Sequence, residues 1–62
     1  MKVAHIIKLL EENGWLLVRQ KGSHQQFKHA SNPNVITVPG HPNDDMATGT
    51  EKSILKKTGL KK

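Results

Sequence analysis

Arg19, Lys21, Ser23, His24, Gln26 and Lys28 crowd one short basic stretch of the chain and surround a single imidazole. Histidine exchanges a proton near neutral pH, so it can serve as a general acid or base. Arginine offers a planar fork and lysine a point charge, and both suit a phosphate oxygen. Such a set fits a phosphodiester better than a protein core. RNA carries its own nucleophile. An enzyme need only take the proton of a 2′-hydroxyl, hold the phosphate in line and stabilise the negative charge that develops. On this reading His24 is the candidate catalytic residue, and Arg19, Lys21 and Lys28 are candidate phosphate ligands. Ser23 and Gln26 add hydrogen bonds, and His41, between Gly40 and Pro42, shapes or binds at the site. No second histidine is obviously paired with His24. The same imidazole, a water or a lysine therefore serves the leaving group. The scheme requires no metal.

The remaining histidines and aromatics have plainer readings. His5 falls in the first helix and reads as a surface residue. His29 closes a strand before a loop, where it can approach the same site. The four histidines lack the short helical spacing of a zinc site, and there is no cysteine, so no metal and no cofactor is expected. Trp15 reads as core rather than as a stacking platform. With Phe27 the only other aromatic, extended base stacking is difficult.

The elements that must position these groups follow from periodicity. Val3, Ile6, Ile7 and Leu10 recur at helical spacing, which predicts a helix over Lys2 to Asn13 that Gly14 stops. Trp15 to Gln20 reads as a strand, with Trp15 and Leu17 on one face and Leu16 and Val18 on the other. Lys21-Gly22-Ser23 reads as a hairpin connection into a second strand, His24 to Lys28. There Gln25 and Phe27 share one face, and His24, Gln26 and Lys28 share the opposite one. Ala30 to Asn34 is dense in turn formers and reads as a loop, with Val35 to Val38 as a third strand ended by Pro39. Pro39 to Asp45 is a surface connection. Thr48 with Glu51 three residues on is a helix-start signal for a second helix to about Lys57. Ile54 and Leu55 form its apolar face and Gly59 closes it. Lys56, Lys57, Lys61 and Lys62 read as a solvated helix end.

Size and charge narrow the classes. A chain of 62 residues makes one domain, residues 1–62, and domains of this size bury only about 60% of their unfolded surface. The lack of cysteine fits a reducing compartment. The first residues do not read as a signal peptide, because His5 and Lys8 break the apolar run, and no stretch is expected to span a membrane. Ten Lys and Arg face five Asp and Glu, for a net charge of +5. That balance favours a polyanionic partner, nucleic acid or an acidic protein.

Helix, three antiparallel strands, helix, with both helices covering one sheet face, is an α+β layout of the double-stranded-RNA-binding-domain kind. His24 is expected on the sheet face opposite the helices. The sequence also resembles the HicA-type toxins of bacterial and archaeal toxin–antitoxin pairs. The resemblance rests on Leu9-Leu10-Glu11-Glu12-Asn13-Gly14-Trp15, on Arg19-Gln20-Lys21-Gly22-Ser23-His24, and on Val35-Ile36-Thr37-Val38-Pro39 with His41-Pro42. It continues in Gly49-Thr50 ahead of Ile54-Leu55-Lys56 and Gly59-Leu60. These elements run in the family's order over nearly the whole chain. The Asp44-Asp45-Met46-Ala47 stretch departs from the family, whose members tend to carry lysine there. The resemblance implies an endoribonuclease toxin (an mRNA interferase) that acts on messenger RNA with His24 as its catalytic residue, and a HicB-type antitoxin that covers the site. It implies a bacterial or archaeal cytoplasm.

Two other classes compete on the residues alone. A non-catalytic double-stranded-RNA-binding module would use its lysines and arginines to recognise A-form shape and leave the RNA intact. An interaction subunit would use its basic face to dock an acidic partner, with the apolar Trp15 to Val18 stretch joining the contact.

Overall fold

The structure, a computed structural model, describes residues 1–60. Its elements are α1 (Val3–Glu12), β1 (Leu16–Lys21), β2 (His24–His29), β3 (Asn32–Val38) and α2 (Thr48–Thr58). The strands form one antiparallel sheet in the order β1-β2-β3. Val3, Ile6 and Leu10 of α1 and Ile54 of α2 share one buried cluster with Phe27, Ile36 and Val38 of the sheet, joined by Trp15 and Met46. The helices therefore back a single sheet face, and the expected double-stranded-RNA-binding-domain-like α-β-β-β-α architecture is the one observed. Of the tail lysines, Lys56 and Lys57 are exposed at the end of α2, and Lys61 and Lys62 lie outside the described residues.

The end of α1 is set by its own sequence. Gly14 adopts φ +88°, its amide donates to the Glu11 carbonyl at 3.2 Å, and the Trp15 amide donates to the Leu10 carbonyl at 3.0 Å. This pair of bonds is a Schellman closure, and the buried Trp15 and Leu10 side chains supply its apolar contact. Trp15 is only 2% exposed, so it belongs to the core and not to an exposed strand face. Its ring packs against that of His29 with centroids 5.3 Å apart.

The start of α1 is set from far away. Lys2, its N-cap, makes no side-chain cap. Instead the Val3 and Ala4 amides donate to the carbonyls of Asp44 and Pro42 at 2.9 and 3.1 Å. Lys2 forms an isolated antiparallel bridge with Asp45, and its Nζ reaches the Asn43 carbonyl at 3.1 Å and Asp45 Oδ1 at 3.4 Å. Asp44 Oδ2 accepts from the His41 amide at 3.0 Å. The Asp44-Asp45 stretch thus fastens the connection before α2 to the first turn of α1.

Three local expectations are corrected. The Thr48–Glu51 capping box does not form: the helix begins with Ala47 as N-cap and no side-chain cap. Glu51 is buried and sits 3.4 Å from the α-amino group of Met1. The third strand begins at Asn32 rather than Val35. Pro33 is compatible with a strand there because β3 is an edge, where a missing N–H costs no ladder bond. Asn32 and Asn34 are held by a distant contact rather than by propensity, since both side-chain amides donate to the Lys57 carbonyl near the end of α2, at 3.1 and 3.2 Å. The strict alternation expected of the first strand also fails. Leu17 pairs with Phe27 and Arg19 with Gln26, so Val18 is an extra residue in the ladder. This β-bulge inverts the phase of everything after it.

Candidate nucleic-acid interface

The bulge decides which side chains meet. Phe27 points into the core, so Leu17 across from it lies on the helix side. One residue along β2, Gln26 faces away from the helices, and its partner Arg19 faces away with it. Two residues further, Lys21 pairs with His24 on that same outer face. Unbroken alternation from Leu17 would have turned Arg19 and Lys21 toward the helices.

The two-residue tip of this hairpin is Gly22-Ser23, closed by the Lys21–His24 pair. Gly22 has φ +59° and is the only one of the two residues with positive φ, the φ signs of a type II′ turn, whose twist matches the strands. Gln20 Nε2 braces the turn by donating to the Gly22 carbonyl at 3.1 Å. His24 is thereby fixed at the start of β2 and exposed.

Arg19, Lys21, Gly22, Ser23, His24, Gln26 and Thr37 line one open depression of about 870 Å³. Five of the sequence candidates come together here: Arg19, Lys21, Ser23, His24 and Gln26. Lys28 shares the outer face but pairs with Leu16, beyond the lining. His41 lies in the connection after β3, fastened through its backbone to Asp44, and does not line the depression. Thr37 was missed. The available signal was its position as the one hydroxyl side chain of Val35-Ile36-Thr37-Val38, alternating with Ile36 and Val38, which are buried.

His29 belongs to a different environment. Its Nδ1 accepts from the Ser31 amide at 2.9 Å, and a backbone N–H can only donate. The proton therefore sits on Nε2, which donates to the Asn13 carbonyl at 2.9 Å. Both nitrogens are committed to fastening the β2–β3 turn to the end of α1, so His29 does not approach His24.

The depression is electrostatically one-sided. All five acidic residues, Glu11, Glu12, Asp44, Asp45 and Glu51, lie outside the three strands. Among the described residues, the side chains of Arg19, Lys21, Ser23, His24, Gln26 and Thr37 make no hydrogen bond or ion pair within the chain. By contrast, the side chains of Asn13, Gln20, His29, Asn32 and Asn34 all bond the backbone. A basic concave surface with its donors uncommitted is suited to an anion with many acceptors. No group of three His, Asp or Glu side chains able to hold a metal occurs among the described residues.

Fold and site together define a small α+β domain of the double-stranded-RNA-binding-domain type, with one sheet face backed by helices and the other basic and open. A model of the family described as the HicA toxin of bacterial toxin–antitoxin systems matches residues 3–60. The chain belongs to that family, and its role is that of the toxin of such a pair. No curated protein matches the chain. Among the described residues no helix is long and apolar enough to cross a membrane.

Proposed function

We propose that this toxin is a metal-independent endoribonuclease that cleaves messenger RNA and so inhibits translation, with His24 as its acid/base. The observation that carries the reading is the direct cross-strand pairing of His24 with Lys21, in a basic depression on a sheet without a carboxylate. His24 takes the proton from a 2′-hydroxyl. The 2′-oxygen attacks phosphorus, the bond to the 5′-oxygen breaks, and that oxygen is protonated by the imidazolium or by water. Lys21 balances the charge that builds on the phosphate oxygens, Ser23 donates a hydrogen bond, Arg19 and Gln26 hold the RNA beside the reacting phosphate, and Lys28 and His41 hold it beyond the depression.

A HicB-type antitoxin neutralises the toxin by covering this face. The open edge of β1 extends the contact, because Leu16, Leu17 and Val18 are exposed there. The reading places both partners in the cytoplasm, where messenger RNA is found.

The domain architecture itself favours a second reading, a duplex-RNA-binding module without chemistry. Shape readers span about 16 base pairs and contact two successive minor grooves. The helix starts offer little for that, since Lys2 is tied to Asp45 and the first turn of α2 carries Glu51.

The test compares the purified wild type with His24→Ala on a long single-stranded RNA in EDTA, with circular dichroism confirming both folds. The expected outcome is cleavage by wild type and a loss of about 10²- to 10⁴-fold in the variant. Equal cleavage by both removes His24 from the chemistry. Binding without cleavage by either, with tighter binding to a duplex of the same length, supports the module.

A further inference from the structure

Beside the pair that the proposed chemistry uses lies a second row of polar groups. Arg19, Gln26 and Thr37 are consecutive cross-strand partners on β1, β2 and β3, so their side chains form a row across the outer face of the sheet. The row lines the same depression as His24 and Lys21. It lies two residues along β2 from His24, about 7 Å at the rise of an extended strand. That is the order of distance separating a phosphate from the base of its own nucleotide.

The chemistry of the row differs from that of the His24–Lys21 pair. A carboxamide has both donors and an acceptor, and a hydroxyl has one donor and two acceptor lone pairs. Their acceptor functions have no use at a phosphate, which only accepts. Gln26 is half-buried, yet its amide makes no hydrogen bond among the described residues, whereas Gln20 on the same hairpin is bonded to the turn. A half-buried amide left with both functions open is matched by a base edge, which presents donors and acceptors side by side. The aromatic residues cannot supply a stacking plane here, because Trp15 and Phe27 are buried on the other side. The Arg19 guanidinium, at the end of the row, is the planar group that can stack on a base.

We infer that Gln26 and Thr37 form a base-reading subsite that accepts one unpaired nucleobase adjoining the scissile phosphate, with Arg19 stacked against it. The inference rests on the ribonuclease reading for the phosphate beside His24. It makes the toxin selective at one nucleotide position of single-stranded RNA, where splayed bases expose their edges.

The experiment has two arms. In the first, wild type, Gln26→Glu and Thr37→Val cut the same long RNA, and the product ends are mapped. Gln26→Glu replaces the amide donor with an acceptor, and Thr37→Val removes the hydroxyl while keeping a β-branched shape. The expected result is a base preference at one position next to the cut in wild type. The ratio of rates at preferred and disfavoured sites then falls about tenfold or more in Gln26→Glu, with a smaller fall in Thr37→Val. A uniform slowing at all sites with the base profile unchanged overturns the inference, as does an unchanged rate and profile.

In the second arm, His24→Ala binds short single-stranded oligonucleotides that differ at one base, with and without Gln26→Glu. A base-dependent affinity that Gln26→Glu abolishes supports the subsite even where cleavage is not seen, which is the outcome that separates it from a failed ribonuclease reading. Affinity independent of base overturns it, and absence of single-strand binding overturns both. Circular dichroism of each variant excludes misfolding as the cause.

Discussion

Arg19 stands directly across the ladder from Gln26, and it does so because Val18 is left over between the Leu17–Phe27 pair and the pair that follows. The run Leu16-Leu17-Val18 satisfies strand propensity wherever the bulge falls. What selects its place is that Phe27 must be buried while the hairpin must close on Lys21 and His24. The extra residue reconciles an apolar start with a basic end on one strand, and gathers the cations on the face without helices. Removing Val18 therefore leaves the ladder regular, with every other β1 residue keeping its partner. Removing Gln20 does not: the strand either keeps the bulge and turns Lys21 inward, or loses it and turns Arg19 inward. Deleting Val18 is expected to preserve the fold and RNA binding. Deleting Gln20 is expected to remove one cation from the RNA-binding face, seen as a salt slope flatter by up to about 0.7 on single-stranded RNA. Equal slopes for the two deletions would contradict the assigned register.

Gly14 is constrained twice. Its φ of +88° disfavours any side chain, and a Cβ built on it would lie 2.8 Å from His29 Nε2, the atom that bonds the Asn13 carbonyl. At Gly22 the φ is +59° but a Cβ meets nothing within 4 Å. Gly14→Ala is therefore expected to destabilise by about 2–4 kcal/mol, the left-handed cost plus the displaced hydrogen bond. Gly22→Ala is expected to cost about 1–2 kcal/mol, and Gly22→Asn less. At about 4–8 °C per kcal/mol for a domain this small, thermal unfolding separates the two sites. A Gly14→Ala variant melting with Gly22→Ala would show that His29 yields easily.

The parts of this architecture that depend on neighbours in sequence were legible in it. The Gly14 closure of α1, the Gly59 closure of α2 at φ +73°, the inward Phe27 and the outward His24 all follow from local periodicity and backbone preference. What local pattern did not reveal depends on partners far along the chain. Residues 42 and 44 cap α1, Asn32 and Asn34 are drawn into β3 by the end of α2, and Glu51 is buried against the α-amino group of Met1. The bulge is of this kind too, since pairing register belongs to two strands together. Strict alternation would have sent Arg19 and Lys21 to the wrong face. The gathering of Arg19 and Lys21 beside His24 was expected from their nearness in sequence, but the face they share is a consequence of the bulge.

Lys21 and Lys28 are both exposed cations on the outer face, yet only Lys21 pairs with His24 and lines the depression. Neutralising either should weaken RNA binding and flatten its salt dependence by about 0.7. Only Lys21→Ala should also slow the cleavage step at saturating RNA, because charge beside the reacting phosphate acts in the transition state while a distant contact acts on binding alone. Single-turnover rates measured against RNA concentration separate the two effects. Loss of maximal rate in Lys28→Ala with none in Lys21→Ala would reverse the assignment.

The first residues of β1 present a different surface. Leu16 is 68% exposed and Val18 53%, on an edge strand with no proline or charge at either position. An apolar edge of this kind invites pairing with another strand unless something covers it. In a chain of a toxin–antitoxin family, the antitoxin is the partner that would do so, adding a strand or an apolar side chain along β1. A charge placed there should disrupt that contact and leave the fold intact, since an exposed substitution shifts stability by only about 0.5 kcal/mol. Leu16→Asp is expected to weaken binding of the cognate antitoxin about tenfold or more, measured by calorimetry on the purified pair, with thermal unfolding of the free toxin little changed. Full affinity in Leu16→Asp would place the antitoxin on the basic depression alone. A matching loss in Arg19→Ala, together with that in Leu16→Asp, would show one contact running from the edge of β1 onto the face that carries His24.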